Sequence, residues 1–148
     1  MNPNEAQIVR LALDILDAQL KTKGVEMTSP EIVSQFLRLQ LELEEREVFA
    51  VLFLDTRHRL IEFCRLFFGT IDSAAVYPRE VAKVALQLNA AAVILVHNHP
   101  SGDSEPSQAD RHLTNRLRDS LAMLDVRVLD HMVVGRSQIT SFAERGWI

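Results

Sequence analysis

The segment Ala91-Ala92-Val93-Ile94-Leu95-Val96-His97-Asn98-His99-Pro100 is the most informative part of this chain for its fold class. Its first part is apolar without a break, a pattern typical of a strand that is covered on both faces. Polar chemistry begins abruptly at His97, where that run ends. A strand covered on both faces needs helices above and below it, so the segment indicates an α/β protein.

The rest of the chain supplies those helices and the neighbouring strands. Apolar runs predict further strands over residues 48–54, 60–68, 126–134 and 139–142, and the first two form a hairpin around a turn at residues 55–59. Apolar residues at helical spacing predict four helices, over residues 5–20, 30–41 and 78–88 and from Ser107 onward. The predicted order is a mixed α/β/α arrangement with at least one hairpin in its sheet.

The totals of the sequence fit one globular domain and exclude several function classes. The chain has 148 residues, of which 47% are hydrophobic and 24% are charged. The formal net charge is -4 and the basic residues are scattered, so charge does not support nucleic-acid binding. The sequence contains no Walker loop, no Gly-x-Ser-x-Gly elbow and no dinucleotide-binding fingerprint.

The expected location is the cytoplasm. No apolar stretch reaches the roughly 20 residues that span a bilayer, and the first residues lack the features of a secretory signal, so we expect no membrane contact. Cys64 is the only cysteine, which fits a reducing compartment. A single cysteine also excludes a multi-cysteine zinc site, so any metal chemistry must use histidine and carboxylate ligands.

The residues from His97 to Asp110 can form a metal site. On an extended chain, side chains two residues apart project to the same side, so His97 and His99 can present two imidazoles to one point. If a helix begins near Ser107, Asp110 lies on the same helix face as Ser107 and can supply a third ligand. Two histidines and one carboxylate, with one position left for water, form the ligand set of a catalytic zinc site.

Two further residues are candidates for a role in hydrolysis. Zinc lowers the pKa of its bound water from about 15.7 to about 7, but a separate base is still useful for relaying the proton. Glu47, at the entrance of the strand predicted over residues 48–54, is the candidate base. Ser107 could donate its hydroxyl to the oxyanion of a tetrahedral intermediate.

Each of these residues also has a plainer interpretation. Asp110 could be a helix-start carboxylate that the helix dipole favours, and Ser107 could simply be a helix cap. Glu47 stands in an acidic cluster that is mostly a solvated face. His131, within the strand predicted over residues 126–134, could be a hydrogen-bond partner of a metal-bound imidazole, but we favour a structural role for it.

The motifs resemble those of the JAMM (or MPN+) metalloproteases. Three segments follow the pattern of that family in order and spacing: Glu47-Val48-Phe49, His97-Asn98-His99-Pro100 and Ser107-Gln108-Ala109-Asp110. Within that group the sequence is most similar to the bacterial RadC-like proteins. That similarity covers residues 40 to 148 and rests on these segments: Leu54-Asp55, Gly69-Thr70, Val76-Tyr77-Pro78-Arg79-Glu80, His97-Asn98-His99-Pro100-Ser101-Gly102, Leu129-Asp130-His131 and Ser141-Phe142-Ala143-Glu144-Arg145-Gly146.

The resemblance implies a three-layer α/β/α fold with a mixed sheet, of the cytidine-deaminase-like type, and hydrolysis of peptide or isopeptide bonds in a peptide or protein substrate. It implies zinc held by His97, His99 and Asp110, with Glu47 and Ser107 in the catalytic roles. It also divides the chain into an N-terminal helical extension, residues 1–40, and the metallohydrolase domain, residues 41–148.

Two departures from the family pattern support a second hypothesis. Asn98 stands where deubiquitinating members typically carry Ser or Thr, although it matches the RadC-like proteins, whose historical label is DNA repair. Full-length RadC proteins carry a helix-hairpin-helix region before this domain, and we expect residues 1–40 to be too few and too acidic to provide it. The alternative is a nucleic-acid- or protein-binding module that keeps the metal without peptidase activity. The opening helix and the sheet edges could support a homodimer.

Overall fold

The computed structural model describes residues 1–22, 30–41, 44–70 and 75–148, which form nine helices and strands. In chain order these are α1 (Pro3–Thr22), α2 (Pro30–Leu41), β1 (Val48–Leu54), β2 (Leu60–Phe68), α3 (Pro78–Gln87), β3 (Ala92–Asn98), α4 (Gln108–Ala122), β4 (Arg127–Val134) and β5 (Ile139–Ser141). Each predicted helix and strand is present, with ends that differ by one or two residues where they differ at all. The prediction of a mixed α/β protein is therefore confirmed.

The five strands form one mixed sheet in the order β2-β1-β3-β4-β5. The β1–β2, β1–β3 and β4–β5 pairs are antiparallel, and β3 and β4 are parallel. A parallel pair needs a crossover between its strands, and α4 provides it here. Because β1 and β3 occupy inner positions, every residue of both strands is buried, as their apolar sequences predict.

Alternate residues of the inner strands lie in two separate hydrophobic clusters. Leu52 of β1 and Ile94 of β3 belong to one cluster, and their neighbours Phe53 and Leu95 belong to the other. The first cluster contains helix residues of α1 and α2, and the second contains those of α3 and α4: Leu13, Val33, Phe36, Leu37 and Leu41 in the first, and Val81, Ala85, Leu113, Leu117 and Leu121 in the second. Full burial of one such large side chain contributes roughly 1.5–3 kcal/mol, so the inner strands are the most strongly anchored part of the fold.

The helices at the start of the chain share a core with the sheet. Phe36 and Leu37 of α2 are almost completely buried in the cluster that contains Leu52. The division at residue 40 into an extension and a metallohydrolase domain stays a prediction. Within the described ranges, no helix combines the length and the apolar character that crossing a bilayer requires.

Candidate metal centre

Three side chains from two elements meet at one end of the sheet. His97 is the next-to-last residue of β3, His99 follows the strand, and Asp110 lies in the first turn of α4. The Nε2 atoms of His97 and His99 are 3.0 Å apart. Asp110 Oδ1 is 3.2 Å from His97 Nε2, and Asp110 Oδ2 is 3.3 Å from His99 Nε2. The structure thus brings together the three residues that the sequence predicts as metal ligands.

The spacing of these atoms suits a small divalent cation. Nitrogen ligands lie about 2.0–2.1 Å from zinc, and in a tetrahedral site two such ligands are therefore roughly 3.3 Å apart. The separations of 3.0, 3.2 and 3.3 Å in this cluster are close to that value. The three residues could hold a metal ion, and the donor set of two imidazoles and one carboxylate is one that zinc accepts.

The cluster is charged although it is largely removed from water. Burial alone would raise the pKa of Asp110, but hydrogen bonds from His97 and His99 outweigh it and hold that pKa far below its usual range. The hydrogen bond with Asp110 raises the pKa of His99, although burial of the imidazole opposes this. Asp110 is therefore an anion at neutral pH, and a cation beside it is favoured.

A capping box holds Asp110 in position at the start of α4. Ser107 is the N-cap residue, and its Oγ accepts a hydrogen bond of 3.0 Å from the backbone N–H of Asp110. In return, Asp110 Oδ2 accepts a hydrogen bond of 2.8 Å from the backbone N–H of Ser107. This reciprocal pair satisfies two backbone donors at the helix start, and it directs Asp110 Oδ1 toward His97.

The cap does not use the hydrogen that the predicted catalytic role of Ser107 needs. A serine hydroxyl has one donor and two acceptor sites. The cap occupies an acceptor site, because Ser107 Oγ receives the N–H of Asp110. The O–H can still donate to a substrate oxygen, so the two interpretations of Ser107 are compatible.

Glu47 lies at the entrance of β1, next to the cluster. Phe49 pairs with His97 in the antiparallel β1–β3 register, and continuing that register by two residues places Glu47 opposite His99. Glu47 is half-buried. The hydrogen bond with Asp110 is the main cause that raises the pKa of His99, and the nearby charge of Glu47 makes a smaller contribution in the same direction. The predicted base is therefore close to the predicted ligands.

Asn98 holds the backbone on either side of Glu47, a role that the sequence did not suggest. Its side chain is buried, and its Oδ1 accepts a hydrogen bond of 2.7 Å from the N–H of Val48. Its Nδ2 donates a hydrogen bond of 3.0 Å to the carbonyl of Arg46. Gly69, which directly follows β2, donates its N–H to the carbonyl of Glu47 itself at 2.9 Å. The position of Glu47 is thus fixed from both neighbouring strands.

His131 contacts the cluster directly, although its sequence position favoured a structural role. It lies on β4, is fully buried, and places its Nε2 atom 2.8 Å from Nδ1 of His97. Burial is the main cause that lowers the pKa of His131 well below its ordinary value, and the neighbouring His97 adds to it. His131 is therefore neutral at physiological pH. A histidine in the middle of an apolar strand was the one sequence signal for this contact.

The loop after β3 fixes the second imidazole. Nδ1 of His99 is 2.8 Å from the carbonyl oxygen of Asp103, which can only accept, so this nitrogen carries a proton. Loss of the Nε2 proton that Asp110 accepts would then leave a lone pair on Nε2 for a metal ion. The loop is bonded to the end of β4, because His99 N–H donates to Val134 O and Arg136 N–H donates to Gly102 O, both at 2.9 Å.

Comparisons with known proteins agree with the resemblance of the motifs. The family described as "RadC-like JAB domain" matches residues 27–147. A UPF0758 protein of Vibrio cholerae is 57% identical over 144 residues, which are 97% of this chain and 90% of that protein. UPF0758 proteins of Tolumonas auensis and Shewanella amazonensis are each 59% identical over 126 residues, which are 85% of this chain and 56% of each relative. The chain thus spans little more than half the length of these last two relatives.

Proposed function

This chain belongs to the RadC-like JAB domain family, and from the geometry of its cluster we propose that it is a zinc-dependent hydrolase of the metallopeptidase or isopeptidase type. The observation that carries the proposal is the convergence of His97, His99 and Asp110 at ligand spacing, with the carboxylate of Glu47 beside them. The proposed substrate is a peptide or protein. The finer fold assignment, a three-layer cytidine-deaminase-like arrangement, is also a proposal, supported by the two core clusters.

Each residue has a defined part in the proposed reaction. His97, His99 and Asp110 would hold the zinc, which when bound supplies an acidified water and polarises a carbonyl group. Glu47, as a carboxylate, accepts a proton from the attacking water and passes it to the leaving amine. Ser107 donates its hydroxyl to the substrate oxygen as negative charge develops there. Asn98 keeps Glu47 in place through the backbone of Arg46 and Val48.

The metal content of the purified protein is the first test. We predict that protein prepared without added metal contains close to one zinc per chain, that His99→Ala loses it, and that Glu47→Gln keeps it. His112→Ala is the matched control, because His112 is an exposed histidine on α4 and its removal leaves zinc bound. Elemental analysis of the four proteins checks these outcomes. Wild-type protein that binds no zinc at any supplied concentration would refute the proposal.

The second part of the test concerns turnover. Wild-type protein is expected to cleave members of a peptide or isopeptide library, and Glu47→Gln to reduce the rate by about 10²–10⁴-fold, the usual contribution of a general base. Zinc binding without any cleavage would favour the alternative, a binding module that retains the metal. The predicted cytoplasmic location and homodimer stay predictions.

A further inference from the structure

A chain of hydrogen bonds behind the cluster connects two of the three proposed ligands. It starts at Nδ1 of His97, which lies 2.8 Å from Nε2 of His131. Nδ1 of His131 contacts Oγ1 of Thr114, one turn after Asp110 on α4. Oγ1 of Thr114 in turn donates to the backbone carbonyl of Asp110 at 2.8 Å. The side chains of His97, His131 and Thr114 are almost completely buried, so water does not replace these contacts.

The number of protons restricts this chain to two arrangements. A neutral imidazole has one N–H and a hydroxyl has one O–H, so every contact needs one donor and one acceptor. In the first arrangement, Thr114 donates to Asp110 O, His131 donates from Nδ1 to Thr114, and His97 donates from Nδ1 to His131. In the second, the hydrogen bonds between His97, His131 and Thr114 run the other way, His97 carries its proton on Nε2, and the carbonyl of Asp110 receives no proton from Thr114. Both arrangements contain the same number of protons.

Only the first arrangement gives His97 a lone pair that faces His99 and Asp110. The bond from Thr114 to the carbonyl four residues earlier favours it, because this is the usual partner of a threonine hydroxyl inside a helix. With its single proton directed to Asp110 O, Thr114 can only accept from His131. His99 needs no such device, since a backbone carbonyl already fixes its proton on Nδ1.

We propose that His131 and Thr114 are positioning residues that fix His97 as the Nδ1–H tautomer, so that its Nε2 lone pair is directed at the metal. The inference rests on the zinc site of the proposed function. In the zinc-loaded protein, His131 is therefore itself an Nδ1–H tautomer with an unprotonated Nε2. The hydroxyl of Thr114 links His131 to the backbone of Asp110. One hydrogen-bonded unit therefore positions both His97 and Asp110.

Histidine ¹⁵N NMR spectra of the zinc-loaded wild-type protein test the tautomers directly. The expected result is a protonated Nδ1 on both His97 and His131 and an unprotonated Nε2 on His131. A proton on Nε2 of His131 would overturn the inference while leaving the zinc site intact. If the wild-type protein binds no zinc, both the proposed function and this inference fail. Failure of the inference alone is therefore distinguished by bound zinc together with a proton on Nε2 of His131.

Zinc affinity of threonine variants supplies the second measurement. Thr114→Val removes the hydroxyl with little change in shape and is expected to weaken zinc binding by about 10–100-fold, the range seen when hydrogen-bond partners behind the metal ligands are lost. Thr114→Ser should restore the affinity. Ser120→Ala is the control, since Ser120 makes the same bond to a carbonyl four residues earlier, Arg116 O at 2.8 Å, away from the cluster. Competition with a chromophoric chelator gives the affinities, and wild-type affinity in Thr114→Val would overturn the inference. Should Thr114→Val not fold, the NMR spectra of the wild type decide alone.

Discussion

Ser107 combines a structural and a chemical role in one hydroxyl, and the two roles use different parts of it. As an acceptor, Oγ caps α4 by binding the N–H of Asp110. As a donor, the same group is free to meet a substrate oxygen in the proposed reaction. A substitution that removes the hydroxyl therefore changes stability and turnover for separate reasons, and the two effects can be measured separately.

We predict that Ser107→Ala and Ser107→Gly differ in stability but not in turnover. Loss of an N-cap to alanine costs about 1 kcal/mol, whereas glycine at this position costs only a few tenths of a kcal/mol. Both variants lack the hydroxyl, so both should lower kcat by about 10²–10³-fold, as expected for a lost oxyanion donor. Urea unfolding measures the first effect and steady-state kinetics the second. If kcat falls only in the less stable Ser107→Ala and not in Ser107→Gly, Ser107 acts only as a helix cap.

Asn98 shows how a residue within a recognised motif can be misinterpreted from sequence. In the sequence it is the middle residue of His-x-His and a departure from the deubiquitinating members. In the fold it projects to the opposite side from His97, because side chains alternate along a strand. There its amide satisfies a buried N–H of β1 and a carbonyl of Arg46. Its partners lie about fifty residues earlier in the chain, so no local pattern could have revealed them.

At the scale of whole elements, the sequence was most informative where a pattern is local. The apolar run of β3, the spacing of His97 and His99 and the helix start at Ser107 each follow from neighbouring residues, and the structure contains all of them. Contacts that depend on the register between strands could not be predicted. The pairing of Phe49 with His97 brings Glu47 to the cluster, and the pairing of Leu95 with His131 brings β4 behind it. Register is a property of two elements together, since it depends on how their side chains pack.

The loop between β3 and α4 is held at a distance from β4 that only glycine allows. A Cβ atom at Gly135 would lie 2.5 Å from the carbonyl oxygen of Gly102 and 2.9 Å from the backbone N of Ser104. Both neighbours are backbone atoms, so the loop itself would have to move. The same loop supplies the Asp103 carbonyl that fixes the tautomer of His99.

Gly135→Ala is therefore predicted to affect both folding and metal binding. We expect a loss of about 1–3 kcal/mol in the free energy of unfolding, as for other overpacked positions. We also expect zinc affinity to fall by about 10-fold or more, because the acceptor of His99 is displaced. Urea unfolding and chelator competition measure these two quantities.

Gly146→Ala is the matched control for this substitution. Gly146 has a φ of +74°, so alanine there is strained, but no atom lies within 4 Å of the added Cβ. The control should lose stability and keep wild-type zinc affinity. Wild-type zinc affinity in Gly135→Ala would show that the loop can shift without disturbing His99.

At the scale of the whole molecule, the proposed ligands connect the end of the central strand β3 with the first turn of α4. His97 lies in β3 and His99 directly follows it. Asp110 belongs to α4, which packs in the cluster that contains Leu95 and Leu113. When both imidazoles present Nε2 lone pairs, three acceptor groups face one another at this site: the two Nε2 atoms and the carboxylate of Asp110. Without a cation or a proton between them, such groups repel one another, so a bound ion stabilises the folded state specifically.

Zinc should therefore raise the thermal stability of the whole domain. A ligand that binds only the folded state at 1,000 times its Kd contributes about 4 kcal/mol. For a chain of this size that corresponds to an increase of about 10 °C in Tm. Asp110→Asn is a suitable comparison, because its amide oxygen can still accept the N–H of Ser107 while the negative charge is lost. Calorimetry with and without zinc should show a large increase for the wild type and a much smaller one for the variant. Equal increases would mean that zinc binds elsewhere, since the carboxylate of Asp110 is the only negative charge among the three proposed ligands.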